Sequence, residues 1–211
     1  MAKITIIDYG SGNLQSVFNA FELVAGDCDI KISNQIEDLR SASHLVLPGV
    51  GSFQDCMKGL KNSGLQEEII NQVQVDQKPF FGICVGMQVL ASFGLENGKA
   101  KGLDLISGEV SKIEEQENLK VPHMGWNNVR IDQNNHSLLA GVDDGEHFYF
   151  ANSYHFKASN QDQVIAHVNY GDKISAIIAK DNIFGCQFHP EKSGRCGLRI
   201  VKNFSQWKYP S

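Results

Sequence analysis

The chain has 211 residues, 42% of them hydrophobic and 20% charged, which is enough apolar material for one globular domain with a real core. Its formal charge of −5 argues against a nucleic-acid surface, which needs a basic face, and no run of about eighteen apolar residues offers a membrane span. Five cysteines, at positions 28, 56, 84, 186 and 196, form no CxxC pair and leave an odd thiol, so a reducing, cytoplasmic setting is expected, and the N-terminus carries no export-type segment.

In chain order, Lys3 to Asp8 reads as a strand, and Leu14, Val17, Phe18 and Phe21 then recur at helical spacing. Between them, Gly10, Ser11 and Gly12 imitate a dinucleotide-binding turn, but Gln15 stands where the third glycine belongs and the fingerprint fails. Asp29 to Ser33, His44 to Pro48 and Lys78 to Ile83 read as further strands. Such alternation of short apolar strands with helices is the pattern of a parallel sheet covered by helices.

From Leu103 onward successive β segments follow: Asn128 to Ile131, Glu146 to Phe150, Val164 to Asn169, Ile174 to Lys180 and Ile183 to His189. These read as antiparallel. Asp181 and Asn182 suit a two-residue hairpin turn, and Leu198, Ile200, Val201 and Phe204 read as a closing helix. The expected fold is α/β: an open, mostly parallel sheet with helices on both faces and an antiparallel C-terminal half, in one domain over residues 1–211 without repeat or linker.

Two stretches carry chemistry. In Phe80, Phe81, Gly82, Ile83, Cys84, Val85, Gly86, Met87, Gln88, a cysteine sits between glycines where a strand hands over to a helix, the arrangement of a nucleophile elbow. Gly82 and Gly86 are expected to tolerate the backbone conformations of so sharp a turn, and the helix start to favour a thiolate. A small buried cysteine in a tight turn is the alternative, and Cys28, Cys56 and Cys186 are best taken as packing thiols of that kind.

The second stretch, Ile183, Phe184, Gly185, Cys186, Gln187, Phe188, His189, Pro190, Glu191, reads as a strand that Pro190 ends, with His189 delivered to its tip and Glu191 two positions on. A lone histidine there is an ordinary surface residue. A cysteine, a histidine and an acid together are the parts of an activated thiol nucleophile. The Cys186–His189 spacing suggests a metal, but no second ligand pair accompanies it, so neither metal nor cofactor is expected.

GICVGMQ followed about a hundred residues later by FHPE resembles the class I (triad) glutamine amidotransferases, whose fold is flavodoxin-like. DYGSGN (Asp8 to Asn13), PGVGSF (Pro48 to Phe53), VPHMGWN (Val121 to Asn127) and HPEKS (His189 to Ser193) narrow the likeness to the glutaminase subunits of imidazole glycerol phosphate synthase, the HisH family. The resemblance implies that Cys84 attacks the carboxamide of L-glutamine, that His189 moves the proton and that Glu191 orients the histidine. It further implies an oxyanion hole from Val85 and Val50, and substrate contacts at Gly51, Gln88, Ser153 and Tyr154.

For a chain of 211 residues, the acceptor of the ammonia is expected on another chain. The resemblance therefore implies a (β/α)₈ cyclase partner called HisF, forming a heterodimer, with Asn13, Trp126 and Lys192 at the interface. That pair would make imidazole glycerol phosphate and an aminoimidazole carboxamide ribotide in histidine biosynthesis. A related subunit that supplies ammonia to amidinate a surface-polysaccharide sugar is a second reading, and a silent binding scaffold a third, which the intact Cys84, His189 and Glu191 set disfavours. Two departures stand out: Asn152 where many relatives have histidine, and a glycine- and lysine-rich segment at Gly94 to Lys101, taken as surface variation.

Overall fold

A computed structural model describes residues 1–117, 119–133 and 135–209. The first half alternates as the sequence pattern requires: β1 (Lys3–Ile7), α1 (Leu14–Val24), β2 (Asp29–Ser33), α2 (Ile36–Ser41), β3 (His44–Gly49), α3 (Phe53–Asn62), α4 (Gln66–Gln74) and β4 (Phe80–Cys84). A single helical turn, α5 (Val85–Gln88), follows β4 directly. Short strands β5 (Phe93–Gly94), β6 (Ala100–Lys101), β7 (Gly108–Lys112), β8 (His123–Asn128) and β9 (Arg130–Ile131) lead into the second half. There β10 (His147–Asn152), β11 (Tyr154–Ala158), β12 (Val164–Tyr170), β13 (Asp172–Lys180) and β14 (Ile183–Cys186) precede the closing α6 (Gly194–Gln206).

Eight strands form one sheet in the order β2-β1-β3-β4-β14-β13-β12-β9. From β2 to β14 the neighbours run parallel, and β13, β12 and β9 continue the same sheet antiparallel. The C-terminal half is thus not wholly antiparallel, because β14 docks parallel beside β4 with Cys186 opposite Ile83. That placement brings the carboxyl ends of β4 and β14 to the same edge, where open α/β sheets present their ligand sites. The β8–β10 pair and a β11-β7-β5-β6 sheet stand apart from the main sheet.

Side chains alternate across the strands, and Phe81 and Phe184 meet on one face with rings 5.3 Å apart. Phe204 of α6 packs on Phe81 at 5.1 Å and on Phe21 of α1 at 6.2 Å, all fully buried, so α1 and α6 cover that face. Gly82 turns to the opposite face, against the backbone of Gly86.

Most expected strand boundaries move by one or two residues, and three changes bear on the architecture. The segment Asn128 to Ile131 divides between β8 and β9, which pair with β10 and β12 respectively. The strand expected from Glu146 to Phe150 runs instead from His147 to Asn152. The strand expected to reach His189 stops at Cys186, since Pro190 opens a 3₁₀ turn over Pro190–Lys192 and the His189 N–H donates to Tyr149 O at 2.9 Å. Among the described residues no helix is long and apolar enough to cross a membrane.

Candidate active site

Cys84 has φ +55° and ψ −111°, a backbone state that residues with side chains rarely adopt and that persists only where the surroundings enforce it. The enforcement comes from packing. A Cβ on Gly86 would lie 1.8 Å from Leu47 O, one on Gly82 2.6 Å from Gly86 O, and one on Gly49 2.4 Å from Gly86 N. Gly82 and Gly86 do not themselves adopt positive φ, so the expected reason for them is corrected: they let the elbow sit against β3, and the unusual conformation falls on the cysteine.

His189 is 6% exposed, and its Nδ1 lies 2.9 Å from Glu191 Oε1, whose side chain is itself buried. Burial disfavours a charged ring, but hydrogen bonding and charge from Cys84 and Glu191 outweigh it and push the histidine up to about 10. A histidine that keeps its proton across neutral pH is suited to protonating a departing amine. The structure therefore gathers Cys84, His189 and Glu191 at one sheet edge.

A cleft of about 260 Å³ opens over the sulfur, lined by Cys84, Val85, Gly51, Gln88, Ser153 and Tyr154. Val50 does not line it, and its residue is 37% exposed. Gln88 Nε2 donates to Tyr154 O at 2.9 Å and to Gln187 Oε1 at 3.0 Å. Asn152 also borders the cleft, and its Nδ2 donates to the same Tyr154 carbonyl at 3.0 Å. Asn152 thus anchors the backbone of the cleft-lining Ser153–Tyr154 segment.

Glu96, in the segment taken as surface variation, is a lining residue that the sequence did not reveal. Its Oε2 accepts from Phe53 N at 2.8 Å, and Gln54 Nε2 donates to its carbonyl at 2.8 Å, so the start of α3 holds the β5–β6 loop against the cleft. Ser52 caps that helix, its Oγ accepting from Asp55 N at 3.1 Å. A hollow of similar size, about 240 Å³, lined by Glu146, Arg195, Cys196 and Arg199, carries no strained residue and no histidine–acid pair. Among the described residues no cluster of three or more histidine, cysteine or acidic side chains is arranged for a metal.

None of the expected interface residues Asn13, Trp126 and Lys192 lines the cleft, but a neighbour of Trp126 on β8 does. Met124 and Trp126, alternate residues of β8, are 65% and 58% exposed, and Met124 also lines the cleft. Trp126 meets Tyr149 edge-on at 6.1 Å, and Lys192 Nζ lies 5.9 Å from the same tyrosine ring. Asn13, partly exposed, precedes α1, which packs against the turn that carries Lys192.

The sequence matches the glutamine amidotransferase class-I family over residues 5–206. It is 43% identical to imidazole glycerol phosphate synthase subunit HisH of Rhodospirillum rubrum, covering 97% of this chain and 99% of that protein. Identity with the HisH subunit of Bradyrhizobium diazoefficiens is 45%, covering 98% and 99%. Among solved structures, one described as a glutamine amidotransferase superposes with a TM-score of 0.74 at 18% identity over 96% of this chain and 99% of that one. PurLQS from Thermotoga maritima superposes with a TM-score of 0.72 at 17% identity over 97% and 98%. The chain belongs to the class I glutamine amidotransferases, within the family of imidazole glycerol phosphate synthase HisH subunits.

Proposed function

We propose that this chain is the glutaminase subunit of imidazole glycerol phosphate synthase. It hydrolyses L-glutamine and passes the ammonia to a HisF-type (β/α)₈ cyclase in histidine biosynthesis. The observation that carries this reading is the strained Cys84 held at a strand end beside the His189–Glu191 pair. We propose further that residues 1–211 act as one domain and that the enzyme is cytoplasmic.

Cys84 Sγ attacks the carboxamide carbon, and the resulting oxyanion takes hydrogen bonds from the Val85 N–H and from a second donor at Val50. The His189 proton goes to the amide nitrogen, the C–N bond breaks, and ammonia leaves a glutamyl thioester. His189 then takes a proton from water as it attacks the thioester, and glutamate departs as the sulfur is released. Glu191 keeps the imidazole in the required tautomer and supports its charged form. Gln88, Gly51, Ser153 and Tyr154 hold the substrate's amino-acid end, whose ammonium is received by Glu96 and Gln88 Oε1.

Val50 stands outside the cleft lining, and Gly51 beside it has φ +83°, a conformation open to a glycine and suited to a peptide that can turn. The partner would bring the Val50 N–H inward. Raising a donor-inward state from about 1:99 to parity requires about 2.7 kcal/mol of differential binding, and to 99:1 about 5.5 kcal/mol. Met124 and Trp126 provide an apolar, cleft-bordering face for that partner.

The test is glutamate release by the chain alone, with a HisF-type cyclase, and with the cyclase plus its nucleotide substrate. Stepwise acceleration is expected. Equal rates in all three would refute the coupling, and absence of glutaminase activity in every state would refute the assignment.

A further inference from the structure

Gln187 has 0% exposure and sits between the end of β14 and His189, with its own N–H donating to Ala176 O at 2.9 Å. A glutamine so deeply buried loses hydration at both ends of its amide, so each end needs a partner. Its Oε1 accepts from Gln88 Nε2 at 3.0 Å. That contact fixes which end of the Gln187 amide is which, and directs Nε2 to the Cys84 sulfur at 3.7 Å. Such an N–H···S contact is weak to a thiol and stronger to a thiolate, because the charged acceptor draws the donor in.

Gln88 extends the chain outward. One of its two amide hydrogens goes to Gln187 and the other to Tyr154 O at 2.9 Å, which leaves Oε1 as the end of this cleft-lining side chain able to receive a donor. All the donors then point the same way: from a substrate ammonium to Gln88, from Gln88 to Gln187, and from Gln187 to the sulfur. Hydrogen bonds aligned in this way polarise one another.

We propose that Gln187 is a positioning residue for the nucleophile: it holds Cys84 Sγ in place for attack, stabilises its thiolate, and links it to occupancy of the Gln88 pocket. This rests on the glutaminase reading for the identity of the substrate, but not for the contact with the sulfur.

Gln187→Met keeps the shape of the side chain and removes the donor, whereas Gln187→Glu keeps an acceptor for Gln88 and turns a carboxylate toward the sulfur. In the complex with the cyclase, kcat, KM for glutamine and the melting temperature would be measured. In the same complex without glutamine, the rate of Cys84 alkylation by iodoacetamide would be followed against pH. Loss of a hydrogen bond to a charged group is worth about ten- to hundredfold, so Gln187→Met should lower kcat by about that factor. Its alkylation profile should move to higher pH, and Gln187→Glu should move it further. A wild-type alkylation profile in both variants would overturn the proposal, as would a loss of kcat that only follows a falling melting temperature. If the wild type releases no glutamate while the profile still moves, the glutaminase reading fails and the contact with the sulfur stands.

Discussion

Replacing Gly86 by alanine places a methyl group 1.8 Å from the Leu47 carbonyl oxygen, where real contacts stay beyond about 3.0 Å. One side must therefore yield by roughly 1.2 Å. Leu47 lies within β3, paired with Gly82, so the sheet resists and the elbow moves, carrying Cys84 and the Val85 N–H with it. An oxyanion donor is useful only at about 2.7–3.1 Å from the developing charge, and losing one costs about a hundred- to thousandfold in kcat. Overpacking of this kind costs about 1–3 kcal/mol of stability, a fall of several degrees in melting temperature for a chain of this size. Glutamate release in the presence of the cyclase, with thermal unfolding alongside, checks both numbers. A Gly86→Ala enzyme that keeps more than about a third of its kcat and its melting temperature would refute the claim that close packing on β3 shapes the elbow.

Glu191→Gln should be milder in kcat than His189→Ala, because the acid supports the base without touching substrate; equal or reversed losses would give Glu191 another task. The buried His123 and His155 titrate at about 4, both chiefly because burial strips water from the charged ring, with Lys157 adding to the effect on His155. Their folded values lie below the unfolded 6.5, so the unfolded chain takes up protons first and stability falls as pH drops from about 6.5 toward 4. Each ring accounts for about 3 kcal/mol over that range, and His155→Leu should flatten the pH dependence of the urea midpoint. A slope as steep as wild type would remove His155 from that account. Trp126→Ala should leave the isolated chain within about 0.5 kcal/mol of wild-type stability and weaken cyclase binding by about 2 kcal/mol, near thirtyfold; unchanged affinity in titration calorimetry would move the interface elsewhere.

The elbow and the His189–Glu191 pair were legible in sequence because the chemistry stands beside residues that mark tight geometry: glycines where backbones pack closely and Pro190 where the ladder ends. Strand partners are set by distant packing. Hence β14 read as one more antiparallel segment, although its parallel docking on β4 is what brings His189 to Cys84. Glu96 was hidden for a related reason. Its neighbours Gly94, Gly98, Lys99 and Lys101 have a loop's composition, and only the hydrogen bonds to Phe53 and Gln54 turn that loop into a cleft wall. Nothing in the sequence around Gln187 signals that its amide reaches the nucleophile, since that requires Gln88 to occupy the other end.

The assignment of Cys84 as nucleophile is tested most directly by trapping the intermediate. The chain, bound to its cyclase, is mixed with glutamine, quenched in acid within one turnover, and digested for mass spectrometry. A glutamyl group should appear on the peptide that carries Cys84, and both the adduct and glutamate release should vanish in Cys84→Ala. Sustained glutamate release by Cys84→Ala, or turnover in the wild type with the glutamyl group on another residue, would contradict the mechanism.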